Sequence, residues 1–232
     1  MQTKNRGILL FTKVYKENDL FIKFLSNTDE INTGIVYGGL SKKKRNIYQV
    51  GYFLDFQISF KHNKPNSISA ELSQPYISNI INDKYKINCL LCVTSLISLS
   101  IIEGQKVKNI FSTVEVFLLN MFSKKKWFID YCIFLFQLLK IIGYEIDLTD
   151  SKKNMYFDLE KLQFKKESNQ NTLKFPYELL DVNNYKKIKK ISVNQMFNIF
   201  ETVFLRQHLS NFNLHLPNQY HLFKKLIIEK IN

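Results

Sequence analysis

The residues with the sharpest intrinsic chemistry are three cysteines and four histidines, and their spacing argues against catalysis. Cys89-Leu90-Leu91-Cys92 is formally a C-x-x-C pair. Redox work needs an exposed thiol of low pKa at a helix N-terminus, whereas this pair lies inside an apolar helical run with no Gly or Pro between the cysteines. A zinc site would need a second ligand pair, and none follows. Cys132 stands alone in another apolar helix, so all three read as core side chains. His62, His208, His215 and His221 fall in no H-E-x-x-H or comparable spacing and read as surface or boundary residues. There is no phosphate-cradling glycine loop and no nucleophile elbow. Carboxylates are sparse and sit in mixed-charge segments such as Asp29-Glu30. The expectation is a protein that is not an enzyme and needs neither metal nor cofactor. An enzyme working through Cys89 and Cys92 is the least favoured alternative.

Binding chemistry is better supplied. Gly38-Gly39-Leu40-Ser41-Lys42-Lys43-Lys44-Arg45 places four consecutive cations after two glycines that end a strand. Clustered cations displace condensed counterions from a phosphate chain, the main source of sequence-independent nucleic-acid affinity. The bland alternative is a solvated Lys-rich turn. Lys13, Lys23, Lys61 and Lys64 lie on neighbouring strands or turns, and Tyr15, Tyr37 and Tyr48 offer stacking faces. A basic groove interleaved with aromatics suits single strands. Phe56 and Phe60 read instead as barrel core. Lys124-Lys125-Lys126 and Tyr185-Lys186-Lys187-Ile188-Lys189-Lys190 are further basic clusters, read as solvated connectors.

The elements that must position these residues follow from periodicity. Tyr52, Leu54, Phe56, Ile58 and Phe60 alternate with Phe53, Asp55, Gln57 and Ser59, which predicts a half-buried strand. Gly7 to Tyr15, Leu20 to Leu25, Ile31 to Tyr37 and Ser67 to Leu72 complete a set of five. Five short strands in so short a stretch point to a small closed barrel, because closure removes exposed sheet edges. The cation loop is then expected on the barrel rim, on a mobile backbone. After Pro75 the spacing becomes helical. Helices are predicted from Ile87 to Ile102, Val107 to Phe122, Trp127 to Ile142, Ile191 to Leu209 and Tyr220 to Ile231. Gly143 supplies a helix stop. Residues 146–190 read as irregular and polar.

The chain has 232 residues, is 45% hydrophobic and carries a formal charge of +13, so it can bury a core despite its charge. Only Arg6, Arg45 and Arg206 among the 33 basic residues are Arg. Together with abundant Asn, Ile, Phe and Tyr, this points to AT-biased coding, so position matters more than total. Residues 81–150 hold 8 basic and 7 acidic residues, which marks the near-neutral middle as core and leaves the charge to the flanks. Three cysteines suit a reducing compartment, no run reaches the roughly 20 apolar residues of a membrane span, and a cytoplasmic location is expected.

The residues also carry a family resemblance. Gly7-Ile8-Leu9-Leu10 followed by Tyr15-Lys16-Glu17-Asn18-Asp19-Leu20, the segment from Thr33 to Arg45, Gln49-Val50-Gly51, Glu71-Leu72, the helix end from Leu138 to Leu148 and Leu214-His215-Leu216-Pro217 occur in the order and spacing of one family. In these features the chain resembles the bacterial recombination and repair mediators of the RecO family. The resemblance implies an α+β architecture: a five-stranded OB-fold barrel at 1–80, a helical core at 81–148, an insert at 149–190 and C-terminal helices at 191–232. Many family members carry a zinc-binding insert, but Thr149-Asp150-Ser151-Lys152-Lys153-Asn154 holds no cysteine, so a reduced, zinc-free insert is expected. The residues after Pro217 also lack an expected Arg. The resemblance further implies binding of single- and double-stranded DNA, annealing of complementary strands, and help in loading RecA onto strands covered by single-strand-binding protein. Implied partners are RecR and the C-terminal tail of single-strand-binding protein, with RecA engaged indirectly, in a nucleoid-associated setting. The DNA-binding residues are then expected to be Lys42, Lys43, Lys44, Arg45, Lys13, Lys23, Lys61, Lys64 and Tyr15. The alternative is an OB-fold RNA-binding or ribosome-associated module, which composition and charge allow equally.

Overall fold

A computed structural model describes residues 4–60, 62, 65–146, 156–181 and 188–231. The chain forms two compact units, Met1–Glu115 and Val116–Asn232. In the first, β1 (Lys4–Lys16), β2 (Asp19–Ser26), β3 (Ile31–Val36), β4 (Phe53–Ser59) and β5 (Ser67–Gln74) close into a barrel of order β1-β2-β3-β5-β4. Every neighbouring pair is antiparallel except β3 with β5, which meet in parallel at Ile35 and Ser67. This is the OB-fold arrangement, and the five strands overlap the five segments expected from the sequence.

Alternation also decides what fills the barrel. Leu9, Leu20, Ile22, Phe24, Val36, Leu54, Phe56, Ile58 and Ile68 point inward and form its core. Phe24 and Phe56 stack with ring centroids 3.7 Å apart. Gly7 makes that stack possible, because a Cβ there would stand 2.9 Å from both rings and 2.7 Å from the Leu25 carbonyl.

α1 (Lys84–Ser100) follows the barrel. The Asp83 carboxylate accepts the Tyr85 and Lys86 N–H groups at 3.0 and 3.1 Å, which starts the helix where its first amides lack partners. α2 (Ile110–Ser123) begins in the first unit and continues into the second.

The second unit adds α3 (Phe128–Ile141), α4 (Lys190–Val203) and α5 (Asn218–Lys230). Tyr131 of α3 meets Phe223 of α5 edge-on at 4.9 Å, and Phe117 stacks on Phe134 at 4.7 Å. α3 ends as read from Gly143: that residue adopts φ +96°, its N–H reaches the Lys140 carbonyl, and the Tyr144 N–H reaches the Leu139 carbonyl. Past α4 the helix widens into one π-turn over Phe204–His208.

Two expectations change here. The polar segment before α4 holds a three-stranded antiparallel sheet of β6 (Tyr156–Asp158), β7 (Gln163–Lys165) and β8 (Thr172–Lys174), in the order β7-β6-β8. Three-residue strands are too short to show period two. Phe157, Phe164 and Phe175 give this sheet its own aromatic core. His208, read as surface or boundary, is buried and stacks on Phe204 at 5.3 Å, with Tyr144 and Phe212 edge-on. The cysteine-free stretch at 149–154 lies outside the described residues. Among the described residues, no helix is long and apolar enough to cross a membrane.

Candidate nucleic-acid interface

The outer face of β1-β2-β3 divides into two halves. In the half away from the β1–β2 turn, the chain covers its own sheet. The Lys23 ammonium donates to the Ser98 carbonyl at 2.7 Å, the Thr33 hydroxyl donates to the Glu103 carboxylate, and the Gly104 N–H reaches the Ile31 carbonyl at 3.3 Å. The Asp29 carboxylate accepts the Asn109 and Phe111 N–H groups at 2.9 and 3.0 Å, fixing the start of α2 beside the barrel. Burial lowers the pKa of Lys23, while the nearby Glu103 charge acts in the opposite direction.

The half next to the turn is open on β1 and at the turn, while Ile35 of β3, opposite Phe21, is buried. Phe11 stands opposite Lys23, and Lys13 stands opposite Phe21. A bulge then places both Tyr15 and Lys16 against Asp19. Tyr37 follows Val36, the partner of Leu20, and so stands on the other side of Asp19. Phe11, Lys13, Tyr15, Lys16 and Tyr37 are all exposed, with Phe21 half-buried between them. The Lys16 ammonium lies 5.7 Å from the Tyr15 ring centre.

The cation loop leaves from this same end. Gly38 takes φ +64°, which L side chains resist, and its N–H donates to the Asp19 carboxylate at 2.9 Å. The Leu40 N–H donates to the Asn18 carbonyl at 3.0 Å. These two bonds tie the loop to the β1–β2 turn. Beyond them the backbone winds into successive turns. The Lys44 and Arg45 N–H groups both reach the Ser41 carbonyl at 2.9 Å, and the Ile47 N–H reaches the Lys44 carbonyl at 2.9 Å. Lys42, Lys43, Lys44 and Arg45 are all exposed. On its far side the loop borders a cleft of about 300 Å³ whose walls include Lys44, Asp55 and Glu71, so carboxylates bound the basic surface there.

The structure thus brings Lys13, Tyr15 and Lys42 to Arg45 to one end of the barrel. Lys23 sits on the covered half with its ammonium engaged. Lys61 and Lys64, in the β4–β5 connection, lie outside the described residues, as do Lys186 and Lys187. Two aromatic readings are corrected. Tyr48 is no stacking face: it is buried in the barrel core, and its hydroxyl accepts the Ala70 N–H at 3.3 Å. Phe60 is not core but 70% exposed, because β4 ends at Ser59 and the alternation no longer points it inward.

Sequence reasoning passed over Lys16, Phe11 and Phe21. A plain hairpin register counted back across the two-residue turn would pair Phe21 with Val14; the bulge between Val14 and Lys16 is what sets Lys13 opposite Phe21, and nothing in the residue types announces it. The catalytic alternatives find no support in placement. Cys89, Cys92 and Cys132 are buried, and burial pushes the Cys132 thiol well up. Among the described residues, no three His, Cys, Asp or Glu side chains gather to hold a metal ion.

No protein-family model matches the chain. Curated relatives do. It is 31% identical to the DNA repair protein RecO of Rickettsia canadensis over 163 residues, 68% of this chain and 67% of that protein. It is 33% identical to the DNA repair protein RecO of Rickettsia akari over 150 residues, and 32% identical to that of Rickettsia africae over 150 residues, in each case 64% of this chain and 62% of the relative. The matches therefore span 62–67% of the length of these relatives. With the barrel and helices in the expected order, the chain belongs to the RecO family of DNA repair proteins.

Proposed function

We propose that the protein is a non-enzymatic recombination mediator whose OB barrel binds DNA at the end formed by the β1–β2 turn and the loop of residues 37–47. Lys42, Lys43, Lys44 and Arg45 engage phosphates, supported by Lys13 and by Lys61 and Lys64 of the β4–β5 connection, with Tyr15 beside them. The observation that carries this reading is the tethering of an exposed four-cation loop to the open half of an OB sheet face. Lys23, on the covered half, contributes at most to the field around the site.

Screening by these cations allows two phosphate chains to approach while their bases remain free to pair, which is the physical basis of annealing. In this reading the protein binds single- and double-stranded DNA, anneals complements and helps RecA load onto strands covered by single-strand-binding protein. Its partners are RecR and the acidic C-terminal tail of single-strand-binding protein, and it works in the nucleoid of the cytoplasm. The test is annealing of complementary oligonucleotides coated with single-strand-binding protein. Wild type should accelerate it, and the variant with Lys42, Lys43, Lys44 and Arg45 all changed to Ala should not. Equal acceleration by both would contradict the role of the loop. No acceleration by either would contradict the mediator function.

A further inference from the structure

We draw no further inference here: the strongest candidate, the open cavity of about 470 Å³ beside the π-turn of the second unit, lined by Leu205, Arg206, Ser210, Asn213, Leu214 and His215, carries none because nothing in the structure shows what covers it.

Discussion

Lys13 and Lys23 lie on adjacent antiparallel strands of one sheet face, and their surroundings could hardly differ more. Lys23 is half-buried, gives its ammonium to the Ser98 carbonyl and has a lowered pKa because burial disfavours its charge. Lys13 stands exposed beside Phe21 on the open half. The strands are the same; the cover is not. Residues 98–107 cross one half of the face and leave Lys13 uncovered. A cation or an aromatic ring becomes available to a ligand through what the rest of the chain does with it, and period two alone does not specify that.

The inner and outer faces of the same sheet should separate most strongly in stability. Phe56→Ala removes one ring of the Phe24 stack from a sealed core and should cost about 3–5 kcal/mol. Tyr37→Ala, on the open face, should stay within about 0.5 kcal/mol. Urea unfolding of both variants checks this, and similar losses would erase the distinction between the faces.

Enclosure by the chain's own groups should also be visible in acid. Asp158 is buried, and hydrogen bonding from Lys165, then from the Lys161 N–H, holds its carboxyl down at about 2, with burial opposing and the Glu160 N–H adding to the effect. A carboxyl lowered in the folded state stabilises fully above its unfolded value and loses that contribution as pH falls through the folded one. The urea midpoint should therefore drop between about pH 4 and pH 2, and Asp158→Asn should flatten that part of the profile. Parallel profiles would show that Asp158 is not the group responsible.

The two lysines give a smaller and more direct contrast. Lys13→Met should shallow the salt dependence of single-strand binding by about 0.7 in the log–log slope, the share of one neutralised phosphate. Lys23→Met should leave the slope unchanged. Equal effects would mean that cover does not silence Lys23. The smallest effect expected is on thiol chemistry. Cys89, Cys92 and Cys132 are sealed in the core, so a neutral thiol reagent should label the native protein no faster than it unfolds. Prompt labelling would reopen a role for the pair.

Much of the architecture was legible because its patterns are long. Five strands and five helices show many periods each, and caps such as Gly143 announce themselves by residue type. The β6–β7–β8 sheet was hidden because each strand has only three residues. Phe60 and Tyr48 exchanged their expected places because alternation holds only while a strand lasts: β4 stops at Ser59, and the loop folds Tyr48 back into the barrel. Within the candidate site, the cation run was plain in the sequence. What joins it to Lys13, Tyr15 and Tyr37 was not, because the Asp19–Gly38 and Asn18–Leu40 contacts form between segments about twenty residues apart.

The central claim is that Lys42 to Arg45 neutralise phosphates at the barrel end. Its most direct test is the slope of log K against log salt for a single-stranded oligonucleotide, wild type against the variant with all four changed to Ala. The slope should become shallower by up to about 2.8, four phosphates at about 0.7 each. An unchanged slope would contradict it.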